Sequence, residues 1–397
     1  MRIAIFSDNF YPEISGISDS IILLGQNLRE NGHEIHYFVP KYSLKNYQTA
    51  KLEVKELELG KNIKIHRLFS LPYFGSPTKQ ARFVIPLGLC ALKFHKEKFD
   101  VVYTQSPFGM GIEALLMSKI LGIPLIGTNH TPIEEFTRYV PIFGKMLTKL
   151  SKKYFVWYYN QCSFVTAPYA GLLEDMKSGG LKIECKELSN PVDLKNFLPV
   201  GEKEKNELKK KNNFPENVIL YSGRLAPEKQ VDVILLSLVK VKENVNDFLF
   251  VVTGFGSSEE NLKKMSKELG LENEVKFFGR VKEEKLVELY QASDLFVIMS
   301  TAETQSLSLM KAMATEVPAI GADARALPDY INSGGGIVVP VGDEDKLAQK
   351  IVNLLQNPQK RKEIGTKTSE FVKQFSAKKI TLEWEKIFGE AIKNFKK

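Results

Sequence analysis

Cysteine is scarce in this 397-residue chain: Cys90, Cys162 and Cys185 are the only three, far apart and without metal-ligand spacing. A disulfide framework and a cysteine-held zinc site are therefore excluded as expectations. The five histidines form no HxxxH or HxH pair, so no metal is expected. Long apolar runs are missing as well, and none reaches the ~20 residues that a bilayer span requires. The opening MRIAIF enters a buried-strand pattern directly, without the basic start, apolar run and cleavage site of a signal peptide. The expected location is the reducing cytoplasm. Low-complexity segments and repeats of fixed short period are also absent from the sequence.

What is there describes a soluble globular chain, 43% hydrophobic and 26% charged. Its length is too great for one ordinary core and suits two domains of roughly 200 residues. The net charge of +8 is uneven: residues 1–200 hold 24 Lys and Arg against 18 Asp and Glu, the remainder 31 against 29. A positive first half suits an anionic partner such as nucleic acid, a phosphorylated substrate or a membrane surface; the plain alternative is a solvated, lysine-rich surface.

Short apolar runs alternate with helical patterns. Residues 3–6, 35–40, 63–68, 100–105, 124–129 and 164–168 read as strands in the first half, and 218–223, 248–254, 275–281, 294–300, 317–322 and 336–340 in the second. Strands apolar along their length and joined by helices indicate parallel sheets covered on both faces. The fold class is α/β, with two Rossmann-like doubly wound domains expected to face each other across a cleft. Residues 1–195 form the first domain, 196–376 the second, and 377–397 a helix that packs back on the first, with Leu382, Ile387, Phe388 and Ile392 as its apolar spacing. The polar stretch from Asn190 to Asn217 reads as the connection followed by an exposed helix.

Ligands of open α/β sheets bind beyond the carboxyl ends of the strands. The loops there contain Gly16 before an amphipathic helix, where backbone N–H groups can meet a phosphate, and Arg224 with Lys229, a pair suited to a diphosphate or simply to Glu228. They also contain Gly279 in FFGRV, and Glu303 ahead of the helix N-terminus at Gln305 to Leu307. A carboxylate beside an anion-binding helix end is awkward unless it accepts hydrogen bonds from sugar hydroxyls. His130 is the one histidine in a polar loop at a strand's carboxyl end; His33, His36, His66 and His95 read as structural.

Taken together, DNFYPEISGIS, TNHT, SNPVD, GRLAPEKQ, FFGRV, ETQSL and a final helix with Trp384 resemble the retaining glycosyltransferases of GT-B architecture called family 4. The resemblance runs end to end. It implies a nucleoside-diphosphate sugar as donor, of UDP-glucose or GDP-mannose type, and no cofactor or metal. Gly16 would approach the diphosphate through its backbone, and Arg224 and Lys229 would stabilise it as leaving group. Gly279 and the backbone of Arg280 would face the nucleobase; Glu303, with Thr304, Gln305, Ser306 and Leu307, would hold the sugar; His130 would lie on the acceptor side. Its catalytic residues would thus be His130, Glu303, Arg224 and Lys229.

Two positions depart from the family pattern. The second glutamate of EX7E is Lys311, a donor-only ammonium where relatives have an acceptor for the ribose hydroxyls, and Ser306 replaces a frequent glycine. Within the family, HTPIEEFTRYVP and TAETQSL look most like diacylglycerol glucosyltransferases and glycolipid mannosyltransferases. Lys145, Lys149 and Lys152, with Lys153, lie on a helix whose other face bears Met146, Leu150 and Tyr154; such a helix lies on anionic lipid or packs its apolar stripe into the domain. The expectation is a hexosyltransferase acting on a membrane lipid or glycolipid, cytoplasmic and peripheral on the inner face of the membrane, with no nucleic-acid partner. A transferase with a soluble acceptor and a non-catalytic sugar-nucleotide-binding relative are the alternatives.

Overall fold

A computed structural model describes residues 1–13, 15–50, 52–73, 80–132 and 144–395, with side chains from 149 onward in the last stretch. The chain forms two compact units, Met1–Pro191 with Ala377–Lys397, and Val192–Ser376. In the first unit the strands are β1 (Arg2–Phe6), β2 (Glu34–Pro40), β3 (Ile63–Leu68), β4 (Leu71–Pro72), β5 (Arg82–Phe83), β6 (Val101–Thr104), β7 (Leu125–Thr128), β8 (Phe164–Ala167) and β9 (Cys185–Glu187). Seven of them make one sheet in the order β3-β2-β1-β6-β7-β8-β9, and β4 and β5 pair separately. Every pairing in the large sheet is parallel.

The second unit contains β10 (Asn217–Ser222), β11 (Phe248–Thr253), β12 (Val275–Gly279), β13 (Leu295–Ile298), β14 (Ala319–Ala322) and β15 (Ile337–Val339), in the order β12-β11-β10-β13-β14-β15. The strand order reverses between β1 and β6 and between β10 and β13. Such a reversal splays the loops on either side apart and opens a crevice at the carboxyl ends. The strands read as uninterrupted apolar runs because both faces are covered: Ile3 to Phe6, Phe250 to Val252 and Leu295 to Val297 are fully buried.

The last helix, Ala377–Phe395, belongs to the core of the first unit. Ile380, Trp384, Ile387, Phe388 and Ala391 recur at helical spacing and are buried. The Trp384 ring centroid lies 4.5 Å from that of Tyr103 on β6. Leu382 is on the opposite face and exposed, because two residues from Trp384 is about 200° around a helix; it is not part of the docking stripe. Chain entry and exit of the second unit are neighbours, Val192 bridging Ser376.

The helix after the connection, Glu202–Asn212, is less exposed than its composition suggests. Lys205 and Lys209, one turn apart, both reach Asp294, at 2.8 and 2.6 Å, and Lys209 is buried. Burial pushes the Asp294 carboxyl up, but the two ammonium groups outweigh it and hold the pKa below its ordinary value.

Candidate active site

In the second unit the loops after β10 and β11 lie backbone to backbone. Gly223 N–H donates to Thr253 O and Leu225 N–H to Phe255 O, each 3.0 Å. Gly254, at φ +119°, is required by this approach, since a Cβ there would come within 1.9 Å of Gly223 O. Gly279, at the end of β12, also lies in the left-handed region at φ +62°. Its carbonyl accepts from Gly254 N–H at 2.8 Å and from Thr253 Oγ1 at 3.1 Å. The three loops are thereby locked into one rim, and Arg280 follows directly.

The charged residues of that rim are already paired. Arg224 Nη2 lies 3.0 Å from Glu228 Oε1, and Glu228 is buried. Lys229 Nζ donates to Glu303 Oε1 and reaches Ser300 Oγ at 3.4 Å. Burial drives the Glu303 carboxyl up; the Lys229 charge and hydrogen bond, Ser300 and the Arg224 charge outweigh it, leaving the pKa below its ordinary 4.5. Glu303 is therefore a carboxylate at neutral pH, held against a cation from the neighbouring loop. Thr304, Gln305 and Ser306 lead into the helix Leu307–Ala314, whose N-cap is Ser306: its hydroxyl accepts from Leu309 N–H at 3.3 Å. The serine thus satisfies one of the free donors of the helix end.

Lys311 stands in the second turn of this helix. Its Nζ lies 4.8 Å from the ring centroid of Phe197, in the connection that enters the unit. Phe197 in turn meets Tyr290 edge to face. An ammonium over a ring face is attracted by the ring's negative quadrupole, so Lys311 has a partner that a glutamate would repel.

In the first unit a buried polar cluster occupies the carboxyl ends of β1, β6 and β7. Asp8 accepts from Ser106 Oγ and, at 3.1 Å, from Met110 N–H in the first turn of the helix Gly109–Leu121. Burial raises the Asp8 carboxyl, the two hydrogen bonds opposing. His130 is buried and its Nε2 lies 2.7 Å from Gln105 Oε1, so the ring nitrogen donates to the amide oxygen. Burial lowers the His130 pKa to about 4; the imidazole is neutral at pH 7. The Tyr103 hydroxyl lies 2.9 Å from Thr128 Oγ1, fixing the strand end beneath it. Gly16 opens the helix Gly16–Glu30 and is exposed; Ser15 caps that helix by accepting from Ile17 N–H. The loop before it is anchored by Tyr42, which donates to Glu13 Oε2 at 3.0 Å and accepts from Phe10 N–H at 3.1 Å.

The sequence placed Arg224, Lys229 and Glu303 in loops after strands, and the structure pairs Lys229 with Glu303 and Arg224 with Glu228. The pairing of Arg224 with Glu228 is the plain alternative that the sequence offered; the residues it missed are Asp8, Gln105 and Ser106. The available signal was position: each is a polar residue just beyond a buried strand, where a solvent loop has no need of buried carboxylates and amides. Lys149, Lys152 and Lys153 are exposed on the helix Gly144–Tyr159, and the side chain of Lys145 lies outside the described residues. Leu150 is exposed while Phe155, Tyr158 and Tyr159 are buried, so the inward stripe runs through these aromatics rather than through Leu150. Glu34, His36 and Glu97 cluster closely, but Glu34 is bonded to Arg2, Lys64 and His36, an ion-pair network rather than an open ligand set.

Two rim-bearing parallel sheets of this order define the GT-B class. Residues 203–371 match the family model described as glycosyl transferases group 1, and residues 14–196 that described as glycosyltransferase family 4. The chain belongs to this family of glycosyltransferases. An alpha-monoglucosyldiacylglycerol synthase of Acholeplasma laidlawii is 26% identical over 92% of this chain and 93% of its own. The Streptococcus pneumoniae protein of the same name is 28% identical over 81% and 70%. A GDP-mannose-dependent alpha-mannosyltransferase of Mycobacterium tuberculosis is 25% identical over 91% and 89%. Among solved structures, Anabaena Alr3699/HepE in complex with UDP superposes with a TM-score of 0.77 at 18% identity, covering 98% of this chain and all of that one, a likeness of fold.

Proposed function

We propose that the protein is a retaining glycosyltransferase that moves a hexose from a nucleoside-diphosphate sugar, of UDP-glucose or GDP-mannose type, to a membrane lipid or glycolipid. The observation that carries this reading is the Lys229–Glu303 pair beside Arg224 at the start of the helix Leu307–Ala314. Two cations and a helix N-terminus suit a diphosphate, and the carboxylate among them suits sugar hydroxyls. On this reading Arg224 and Lys229 neutralise the departing diphosphate, and Glu303 and the backbone of Thr304 to Leu307 hold the sugar. Gly279 and the backbone of Arg280 border the base. Neutral His130, on the acceptor side, adds no charge there. Attack on the same face as the leaving phosphate retains the configuration, and because protein cations carry the leaving-group charge the reaction needs no metal.

The lipid acceptor is supported by the likeness to alpha-monoglucosyldiacylglycerol synthases and by Lys149, Lys152 and Lys153 on an exposed helix face that suits anionic lipid. Lys311, with its ammonium on Phe197, would add attraction for the diphosphate in place of acceptors for the ribose, and so shift donor preference. The test is release of UDP or GDP from radiolabelled sugar nucleotides with and without lipid extract, the lipid product being resolved chromatographically. Turnover of one donor dependent on lipid and unchanged by a chelator is expected. No nucleotide released from any donor under either condition would sink the reading.

A further inference from the structure

The stretch from Phe83 to Leu92 is inside out. Phe83, Ile85, Leu87, Leu89 and Leu92 are exposed, Leu87 and Leu92 at 65%, while the smaller Val84, Gly88, Cys90 and Ala91 are buried between them. Folding in water alone favours the opposite arrangement. The backbone is held this way by a buried carboxylate: Glu113 Oε1 accepts from Gly88 N–H at 2.7 Å and from Leu87 N–H, so the segment cannot turn its leucines inward without stranding that charge.

The exposed residues are continuous with others. Leu71, also exposed, is the cross-strand partner of Phe83 in the β4–β5 pair, which puts the two side chains on one face. Exposed Ile120 stands against Gly88, its Cδ1 4.0 Å from where a Cβ would be. A row of cations follows, Lys93, Lys96 and Lys98, all exposed. Among the described residues none of these three has a carboxylate within 4 Å, and the acidic residues next to them in sequence, Glu97 and Asp100, are both engaged by Arg2. Residues 83–98 thus combine five outward apolar side chains with three exposed lysines and a single carboxylate. A protein partner would be met by mixed charge at the rim, whereas a one-signed cationic rim around apolar side chains complements phosphate headgroups above acyl chains.

We propose that this face of the first unit docks on a bilayer containing anionic phospholipid, the leucines and aromatic entering the headgroup–acyl boundary and Lys93, Lys96 and Lys98 meeting phosphates. The proposal rests on the reading that the acceptor is a lipid, and adds a second contact besides the helix Gly144–Tyr159. The full chain is centrifuged with vesicles of phosphatidylglycerol and phosphatidylcholine in equal amounts, and with phosphatidylcholine alone. Binding to the mixed vesicles is expected. The variant Leu87→Ser/Leu89→Ser/Leu92→Ser, altered only at exposed positions and checked by an unchanged melting curve, should bind about tenfold more weakly or worse. Lys93→Glu/Lys96→Glu should lose the preference for the anionic vesicles. Equal binding of wild type and the triple serine variant overturns the proposal. So does a wild type that is dimeric by light scattering and made monomeric by the serines, which assigns the face to a second copy. Transfer to lipid in detergent by a wild type that binds no vesicles overturns the docking face and leaves the activity standing. Vesicle binding without any transfer supports the face and sinks the activity.

Discussion

At the scale of single residues, the site is a set of buried charges whose cost is offset pairwise, and this fixes what substitution does. Lys229→Met leaves the Glu303 carboxylate buried without its cation. A loss of ~3 kcal/mol in urea unfolding is expected, together with a drop of ~10²-fold or more in kcat if the ammonium stabilises a leaving group. Glu303 has a folded pKa below its unfolded value, so its contribution is present above pH 4.5 and is lost as the pH falls through the folded value. His130 acts in the same direction by a different route. Its pKa falls from 6.5 to about 4 because it is buried, so in between the unfolded chain binds a proton that the folded chain refuses. Stability is therefore full above pH 6.5 and declines toward pH 4, by up to about 3 kcal/mol from this residue. His130→Gln should flatten that part of the curve of unfolding free energy against pH; an unchanged slope would show that the imidazole is not buried in solution. Lys311→Glu sets a carboxylate on the Phe197 ring face, and the expected outcome is a changed ratio of affinities for nucleoside diphosphate over nucleoside. An unaltered ratio with unaltered nucleotide affinity would reduce Lys311 to a packing residue.

At the scale of elements, the rim depends on backbone contacts that side-chain patterns hide. Gly254→Ala drives a methyl into Gly223 O and forces a strained φ, so a loss of ~2 kcal/mol or more and weaker nucleotide binding are expected from denaturation and thermal-shift curves. The twelve strand runs were legible because each is a burst of Val, Ile, Leu and Phe between turn residues. β9 escaped because Cys185–Glu187 is a three-residue edge strand with partly exposed side chains. The buried clamp of Lys205 and Lys209 on Asp294 escaped for another reason: three charged residues each look solvated until the fold brings 209 and 294 together. Among site residues, Arg224, Lys229 and Glu303 were legible from their places after strands, while Asp8 and Gln105, in equivalent places, were passed over because position after a strand does not by itself tell a buried polar side chain from a solvated one. The last helix was legible by period, yet Leu382 was misplaced, since helical spacing alone does not say which side of the stripe a flanking leucine takes. Trp384→Ala, removing a buried ring against Tyr103, should cost about 3–5 kcal/mol in chemical denaturation. Trp157, the other tryptophan, is exposed on the helix Gly144–Tyr159. Its emission should shift to the blue on anionic vesicles if that helix lies on lipid, while the buried Trp384 emits alike in both states.

At the scale of the whole molecule, two parallel sheets of similar grammar have different duties. The second carries the Arg224–Glu228 and Lys229–Glu303 pairs at the ends of its strands, and the first carries the excess positive charge and the outward apolar face. A nucleotide held by the folded chain alone raises its stability by about 2.7 kcal/mol at a hundredfold excess over Kd, so a thermal-shift screen of nucleotides and sugar nucleotides ranks donors directly. The first unit is also discontinuous in the chain, since Ala377–Phe395 supplies Ile380, Trp384 and Phe388 to a core begun at Ile3. The order of synthesis therefore matters. By the time Pro191 has left the ribosome this core still lacks its tryptophan, and at ~5–20 residues per second the missing helix follows roughly ten to forty seconds later. Throughout that interval Tyr103 and its neighbours stand open to water, so the nascent first half is a natural client for a chaperone, and a chain stopped at Ser376 would stay one.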